Sequence, residues 1–414
     1  MVPPLALLLA AFLLPPAEGD ERRAPAWIRC TTTTIEVEGE RIRGAENPVA
    51  RALEEAGPGT VVLLDPGDYP AFTIGLGNNG KDDARTSGGE SGFPIVVDGG
   101  GSARVLGRGD TIGIDQRRPN GYVTFRGLTL VPGERSAVMF YRQSEAVHRG
   151  YSFEDCHILG GYDHAAARGP RSKWGVSAHS VADFRFVGVR SPARIEGIEK
   201  EHAFYVQNQR GDVLIENVRA AGLGRTFCQF TARPGEGPPG RGDVTIRDCV
   251  VRDACLAAGD GYKGGSAFTF AGRLEGTILL ERNEYRAGFD PRYRGLTLAG
   301  QPYGTGALVA WQEQGAGAIG ALVLVDNRFL FEAGCGDRPV VSIGGCDRVL
   351  LLGKNEFRSG GAWPALALDP VDGARRVSPE NGDVRIAAET VLVGGLTVAG
   401  EAAKLEDLAR PKGE

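Results

Sequence analysis

The chain has 414 residues, of which 42% are hydrophobic and 24% are charged, so the composition excludes a disordered protein. The formal net charge is −5, which argues against a general nucleic-acid binder because such proteins are usually basic. Glycine accounts for 62 residues, about twice its usual share, and predicts many tight turns.

The first segment in chain order is an apolar run from Leu5 to Leu14. Its length is typical of a signal-peptide core and is too short to span a bilayer. We therefore predict a signal peptide over residues 1–19, a lead-in over residues 20–44, and a secreted or periplasmic protein without membrane insertion after cleavage. The seven cysteines have no regular spacing, and Cys335 and Cys346 are left open as a disulfide or as buried free thiols.

Next comes an amphipathic pattern over Pro48 to Gly57, which predicts a short helix. Beyond it, a short apolar alternation followed by a turn recurs at spacings of 28 to 44 residues. It is found as VTFRGLTL from Val123, YSFEDCHI from Tyr151, FRFVGVRS from Phe184, VLIENVRA from Val213, VTIRDCVV from Val244, ILLERNEY from Ile278, LVLVDNRF from Leu322, LLLGKNEF from Leu350 and VRIAAETV from Val384. The period inside each unit is two residues, so the units are predicted to be strands.

Two further patterns indicate that successive units stack. Asn283, Asn327 and Asn355 occupy one turn position in three successive units, where their amides are expected to form a hydrogen-bonded ladder. A second set of strands gives two apolar columns, which we expect to face a common interior. The columns are predicted as Val138, Val176, Phe204, Cys228, Phe268, Val309, Val341 and Leu366, and as Phe140, Ala178, Val206, Phe230, Phe270, Trp311, Ile343 and Leu368.

Stacked asparagines and aligned apolar columns in coils of about 30 residues resemble the right-handed parallel β-helix of the pectate-lyase-like superfamily. The phrase HAFYVQNQRGDVLIENV, from His202, is similar to the repeat of that superfamily, and GPGTVVLLDPGDYPAFTI, from Gly57, is similar to its first coil. The resemblance implies an all-β, single-stranded right-handed parallel β-helix over residues 45–400, with a short N-terminal capping helix and a C-terminal tail over residues 401–414. This fold hosts lyases, hydrolases, epimerases and non-enzymes, and the sequence lacks the motifs of its best-known enzymes.

Alternation places the residues between the core positions on the outer surface. Polar and aromatic residues cluster there in neighbouring coils, and aromatic rings with hydroxyl and amide groups are typical of sugar sites. We therefore predict a polysaccharide as the partner. The predicted substrate-binding residues are Tyr141, Ser177, Gln207, Gln229 and Thr231, with Arg225 and Arg233 nearby to stabilise negative charge.

The predicted catalytic residues are His179, Tyr205, His202 and Glu201. Imidazole titrates near neutral pH, so His179 is a candidate for proton transfer with Tyr205 as its partner acid. Two interpretations of Glu201 and His202 stay open. In the first, Glu201 or His202 is a general base or a sugar ligand. In the second, Glu201 is a solvated residue of the turn and His202 satisfies a buried backbone group.

No residue spacing predicts a metal centre or a required cofactor. Calcium is left open at Asp82–Asp83 and at Asp260, because hard cations prefer oxygen ligands. Asp163–His164 resembles the DPH element of alginate epimerases, although the proline is absent.

The sequence therefore favours an exported polysaccharide-acting protein, and within that class a lyase or C5-epimerase for acidic sugars. The alternative is a non-catalytic carbohydrate-binding or surface-structural β-helix. Hydrolysis with inversion is less favoured, because it needs two carboxylates and the predicted outer columns offer only Asp369.

Overall fold

The chain winds as a right-handed parallel β-helix, as the sequence predicts. The computed structural model describes residues 25–43, 46–75, 88–115, 121–141, 147–166, 168–169, 174–232, 237–257, 266–293, 297–298, 301–302, 306–311, 319–336, 338–368 and 384–409. Each coil contributes up to three strands, which pair in parallel with those of the coils above and below. The β-helix therefore has three faces around one apolar interior.

The three faces form two sheets, of 24 and 12 strands. The first face contains Val61–Leu64, Ile95–Leu106, Gly121–Val131, His148–Glu154, Phe184–Val187, Val213–Glu216, Val244–Arg247, Thr277–Glu281, Ile319–Val325, Cys346–Leu352 and Val384–Ile386. The second face, which continues the same sheet, contains Gly67–Pro70, His157–Leu159, Ala193–Ile198, Val218–Leu223, Val250–Arg252, Glu284–Ala287, Arg328–Phe331, Glu356–Arg358 and Val391–Val393, together with the C-terminal parts of Ile95–Leu106 and Gly121–Val131. The 24 strands are completed by Trp27–Cys30, Thr34–Val37, Glu40–Arg43 and Val181–Ala182. The third face is the other sheet, with Phe72–Ile74, Ile112–Ile114, Ser136–Phe140, Trp174–His179, Phe204–Gln207, Cys228–Ala232, Ser266–Gly272, Gly306–Trp311, Val341–Ile343, Leu366–Leu368 and Leu396–Val398.

The register of the third face decides which residues fill the interior. Phe204 pairs with Cys228, and Cys228 pairs with Phe268, so these three residues lie directly over one another. All three are 0% exposed. The predicted stacking of residues that are far apart in sequence is therefore confirmed.

One coil has a different register from the predicted one. The prediction that Val309 and Trp311 point inward is wrong, because Leu308 and Ala310 are the partners of Phe268 and Phe270. Because the residues from Ala307 to Trp311 are all apolar, the alternation allows either Leu308 and Ala310 or Val309 and Trp311 to point inward. Leu308 and Ala310, which together are smaller, pair with the two phenylalanines. Trp311 consequently lies on the outer side of the third face, beside Ala271.

The predicted asparagine ladder is present at the turn between the first and second faces. The Asn283 Nδ2 donates to the Asn327 Oδ1 at 3.0 Å, and the Asn327 Nδ2 donates to the Asn355 Oδ1 at 3.3 Å. None of the three side chains is more than 1% exposed. The rings of Phe329 and Phe357 stack beside the ladder with their centroids 5.4 Å apart. The ladder therefore satisfies buried turn groups and is structural.

Additional elements cover the two ends of the β-helix. The helix Pro48–Glu55 buries its apolar side against the first coil, and the Asn47 side chain caps its N-terminus. At the other end, Glu401–Ala403 pairs antiparallel with Leu396–Val398 and leads into the short helix Leu405–Ala409. Covering the terminal coils protects the apolar interior from water and the open strand edges from pairing with other chains.

The cysteines are buried free thiols, so Cys335 and Cys346 do not form a disulfide. Burial raises the pKa of the Cys346 thiol to about 12, which keeps it protonated. Within the described residues, no helix is both long and apolar enough to cross a membrane. The predicted signal peptide over residues 1–19 lies outside the described residues and stays a prediction.

Candidate functional site

The predicted patch lies on the outer side of the third face, and the strand register brings its members together. Ser177 pairs with Tyr205, and Tyr205 pairs with Gln229, which forms one column. His179 pairs with Gln207 in the neighbouring column. Residues separated by 24 to 28 positions in the sequence therefore become lateral neighbours, as predicted.

The second column extends over several coils in both directions. Its members, in order, are Tyr141, His179, Gln207, Thr231, Ala271 and Trp311. Each step is one coil, or about 4.8 Å, so the column from Tyr141 to Trp311 is about 24 Å long. That length suits an extended polymer lying across the coils.

Only part of this surface is accessible to a ligand. Four predicted residues are half-buried and reach the surface: Tyr141, His179, Tyr205 and Gln229. Three others lie beneath it, since Ser177, Gln207 and Thr231 are 3%, 5% and 1% exposed. Of the two predicted arginines, Arg225 is half-buried and Arg233 lies outside the described residues. The accessible patch is therefore made mainly of rings, with hydroxyl and amide groups below.

Four rings form a cluster at the centre of the patch, which we call the aromatic cluster: Trp174, His179, His202 and Tyr205. The Trp174 and His202 rings stack with their centroids 5.1 Å apart, and the Tyr205 ring lies 5.1 Å from Trp174. The His179 ring centroid is 6.0 Å from that of Tyr205, with the planes inclined at 66°. Tyr205 is thus held between an indole and an imidazole, which restricts the movement of its phenol.

His202 is a buried, neutral member of this cluster. Its Nε2 lies 3.3 Å from the Arg225 Nη1, which can only donate a hydrogen bond, so Nε2 accepts. The proton is therefore on Nδ1, which donates to the Thr226 Oγ1 at 2.5 Å. Burial, and then the Arg225 charge, hold the pKa of His202 well below its usual value. Both ring nitrogens have partners within the protein, which favours a structural role for His202 over that of a general base.

Glu201 shares the same guanidinium. Its Oε2 lies 3.4 Å from the Arg225 Nη1 and 3.5 Å from the His202 Nε2. Because His202 is neutral, the charge partner of the carboxylate is Arg225. The side chain of Arg225 is 28% exposed, so it presents positive charge at the edge of the aromatic cluster.

Lowering the pH from about 7 to about 5 is expected to destabilise the folded chain mainly through His202, His148 and His164. Burial lowers the pKa of these three imidazoles, so below about pH 6.5 the unfolded chain binds protons that the folded chain does not. The contribution of each neutral histidine to the free energy of unfolding is therefore fully present above that pH. It is lost as the pH falls, by up to about 1.4 kcal/mol per pH unit for each histidine.

Thermal unfolding measured across this pH range tests the prediction. The His202→Gln variant should show a shallower dependence of Tm on pH than the unmodified chain. The matched control is His157→Gln, because His157 is half-buried on the second face and should change the slope less. Equal slopes in the unmodified chain and the His202→Gln variant would contradict a buried neutral His202.

Tyr141 lies at the start of the patch and is held by ionised neighbours. Its hydroxyl donates to the Asp110 Oδ2 at 2.7 Å, and an Arg135 Nη2 lies 3.5 Å from the same oxygen. Burial and Asp110 raise the pKa of Tyr141 to about 12, so the phenol stays protonated. The backbone carbonyl of Tyr141 accepts a hydrogen bond at 2.9 Å from the Nε2 of buried His148.

The structure adds four residues to the site that the sequence interpretation missed: Asp110, Asp115, Trp174 and Trp311. Asp115 follows the strand Ile112–Ile114, whose last residue pairs with Phe140, so it lies beside Tyr141 and is 4% exposed. Extending the stacked columns by this one strand would have found Asp115. Trp174 starts a strand, where alternation does not fix direction, and Trp311 was hidden by the one-residue error in register.

The other predicted polar sites lie elsewhere. Asp163 and His164 lie against the second face, where the Arg292 Nη1 binds the Asp163 Oδ2 at 2.9 Å and the His164 Nε2 bonds to the Ile198 carbonyl at 3.1 Å. The residues left open for calcium, Asp82, Asp83 and Asp260, are outside the described residues, as is Asp369. Among the residues that are described, no group of three or more His, Cys, Asp or Glu side chains is arranged to hold a metal ion.

No protein-family model and no curated protein sequence matches the chain. Among solved structures, the chain is similar to an alginate lyase from Paenibacillus sp. str. FPU-7, with a TM-score of 0.47 and 13% identity over 81% of this chain and 97% of that one. It is also similar to the pectate lyase Pel9A, with a TM-score of 0.30 and 10% identity over 86% of this chain and 76% of that one. A third similar structure is ORF18 of Geobacillus virus E2, with a TM-score of 0.28 and 13% identity over 85% of this chain and 55% of that one. The parallel strand register of this chain itself defines the β-helix.

Proposed function

We propose that this chain acts on an acidic polysaccharide as a lyase or a C5-epimerase and binds the polymer along the third face. The observation that carries the proposal is the juxtaposition of His179 and Tyr205, two half-buried rings whose centroids are 6.0 Å apart. An imidazole beside a phenol supplies a base and an acid for proton transfer. The proposal includes secretion of the protein or its export to the periplasm, which is supported by the apolar run from Leu5 to Leu14.

Both reactions begin with the hydrogen on carbon 5 of a uronate, which the adjacent carboxylate makes acidic. In the proposal, neutral His179 takes this proton and the electron pair spreads into the carboxylate. In a lyase the pair then forms the C4–C5 double bond, the C4–O4 bond breaks, and the Tyr205 phenol protonates the departing O4. In an epimerase the Tyr205 phenol instead returns a proton to the opposite side of carbon 5. The shared first step allows one site to serve either outcome.

The negative charge that develops on the substrate carboxylate requires a cation nearby. Arg225 supplies it in the proposal, because its guanidinium is 28% exposed beside the aromatic cluster. Glu201 and His202 act as positioning residues, since both contact the guanidinium and are at most 8% exposed. Tyr141 and Gln229 contact the sugar at the accessible surface, with the buried hydroxyl and amide groups supporting them from below.

The Trp311→Ala substitution is expected to raise KM about tenfold and to leave kcat within about twofold. Trp311 lies four coils from His179, or about 19 Å along the face, which is too far for contact with the reacting atoms. It therefore contributes only to holding the polymer. Steady-state kinetics would check this, with Trp363→Ala as the control because Trp363 is 46% exposed and outside the column. A large fall in kcat, or an equal effect of both substitutions, would count against this role.

The proposed function is tested by a substrate screen on alginate, pectate and glycosaminoglycans. The ultraviolet absorbance of unsaturated uronate would report a lyase, and NMR of the polymer would report an epimerase. Binding without either change would favour the non-catalytic alternative. Cleavage that yields reducing ends without unsaturation would contradict the proposal, and would direct attention to the carboxylates of Asp110 and Asp115.

A further inference from the structure

A cavity lies where the coils turn from the second face toward the third, and we call it the corner pocket. Its volume is about 300 Å³, and it shares no lining residue with the site on the third face. The floor comes from the ends of three stacked strands, Ala193–Ile198, Val218–Leu223 and Val250–Arg252, and the wall from residues 162–163 and 289–293. The volume is at the lower end of the range of small-ligand sites, roughly 300–1,000 Å³.

The floor of the corner pocket is bare backbone. Gly197 and Gly222 stack on adjacent coils, because the residues on either side of them pair in register. Both have positive φ, 69° and 62°, a conformation that favours glycine. The nearest atom to a Cβ placed on Gly222 would be the Tyr293 hydroxyl oxygen, at 3.6 Å. A Cβ would therefore fit in ordinary contact above Gly222, whereas one on Gly197 would meet the Tyr162 backbone nitrogen at 2.6 Å, so the floor is open over Gly222 and covered over Gly197.

An exposed aromatic ring is fixed at the edge of the pocket. Phe289 is 38% exposed, although most phenylalanine side chains of this chain are buried. The Arg252 guanidinium lies over its ring, 3.9 Å from the centroid. The Asp253 carboxylate accepts hydrogen bonds from the backbone N–H groups of Phe289, at 3.0 Å, and Asp290, at 2.8 Å. The ring is thus held in place and does not gain its exposure from a loose loop.

The pocket also presents hydrogen-bonding groups of known charge. The Arg292 guanidinium bonds to the Asp290 Oδ2 at 2.6 Å and to the Asp163 Oδ2 at 2.9 Å, and it holds the pKa of Asp290 below its usual value. The charged lining groups are the carboxylates of Asp163, Glu196, Asp253 and Asp290 and the guanidiniums of Arg252 and Arg292. Four negative charges against two positive ones leave an excess of two, or of one if the Arg194 that pairs with Glu196 is included.

We propose that the corner pocket binds one neutral sugar residue. The part of the Phe289 ring that Arg252 leaves uncovered offers an apolar surface for one side of a pyranose, and the lining carboxylates accept hydrogen bonds from its hydroxyl groups. The excess negative charge disfavours a uronate, which distinguishes this pocket from the site proposed on the third face. The inference goes beyond that proposed function and does not depend on it, since a neutral sugar could bind here whether or not His179 and Tyr205 are catalytic.

Saturation-transfer NMR with glucose, galactose, mannose, xylose and glucuronate tests the proposal on the full chain. At least one neutral sugar should bind saturably, and Phe289→Ala should weaken that binding about tenfold or more. Arg292→Gln should weaken it as well, which provides a second variant if the first does not fold. The matched control is Phe93→Ala, because Phe93 is 52% exposed outside the pocket. The His179→Ala variant should retain the binding in full.

The outcomes separate this proposal from the proposed enzyme activity. Binding of a neutral sugar that is lost in Phe289→Ala and kept in Phe93→Ala and His179→Ala would support the corner pocket, even if no polymer is turned over. The proposal is overturned if no neutral sugar binds the folded chain, if glucuronate binds more tightly than every neutral sugar and Phe289→Ala weakens that glucuronate binding, or if neither Phe289→Ala nor Arg292→Gln weakens neutral-sugar binding.

Discussion

Substituting His179 by Ala is expected to lower kcat on the polyuronate substrate by about 10²–10⁴-fold, and Tyr205→Phe is expected to have an effect of similar size. His179→Ala removes the base that is proposed to take the carbon 5 proton. Tyr205→Phe keeps the ring that packs against Trp174 and removes only the hydroxyl that would protonate the leaving oxygen. The loss should appear mainly in kcat, because the rings and amides that hold the polymer remain.

Initial rates on the polymer identified by the screen would check these effects. The matched controls are His157→Ala on the second face and Tyr122→Phe on the first face, since neither residue lies on the third face. Both controls should keep their activity. Unchanged kcat in both His179→Ala and Tyr205→Phe would remove the chemistry from the aromatic cluster.

The Asn327→Ala substitution is expected to reduce the free energy of unfolding by about 3–5 kcal/mol. The Asn327 Oδ1 accepts hydrogen bonds from the backbone N–H and the Nδ2 of Asn283, both at 3.0 Å. Its Nδ2 donates to the Leu280 carbonyl at 2.8 Å. Alanine removes the acceptor of the Asn283 backbone N–H and the side-chain donor to the Leu280 carbonyl, whereas the Asn283 Nδ2 keeps its bond to the Ile246 carbonyl. Each buried group left without a partner costs about 1–3 kcal/mol.

Denaturant unfolding monitored by circular dichroism would measure this loss. The matched control is Asn217→Gly, because Asn217 is half-buried and its Nδ2 donates to a single carbonyl, that of Gly188, at 2.8 Å. Asn217 has a φ of 53°, which glycine adopts without strain, so the control should cost about 1 kcal/mol for the lost hydrogen bond. If Asn327→Ala is no more destabilising than Asn217→Gly, the ladder does not stabilise the stack of coils.

Much of this fold is predictable from the sequence because the same spacing rule acts repeatedly. The apolar columns through Phe204, Cys228 and Phe268 and the ladder at Asn327 each depend on strand alternation, which a sequence displays directly. The register of the strand Gly306–Trp311 is not predictable in this way, since its consecutive apolar residues fit both frames. There, the packing beneath the neighbouring phenylalanine rings selects Leu308 and Ala310.

The sequence predicts on which face the candidate residues lie, but not how buried they are or which partners they contact. Alternation correctly placed His179 and Tyr205 on one outer surface, because both lie within regular strands. It did not show that Gln207 and Thr231 are covered, since burial on an outer face depends on neighbouring side chains. The partners of His202 lie 23 and 24 residues away, at Arg225 and Thr226, and only the stacked coils bring them together.

NMR of the polymer during reaction in D2O tests most directly whether the aromatic cluster removes the carbon 5 proton of a bound uronate. We expect the carbon 5 proton signal to disappear, through unsaturated chain ends in a lyase or through deuterium at carbon 5 in an epimerase. The His179→Ala variant should slow that loss in proportion to its kcat. A polymer that binds the unmodified chain yet keeps every carbon 5 proton would contradict the claim.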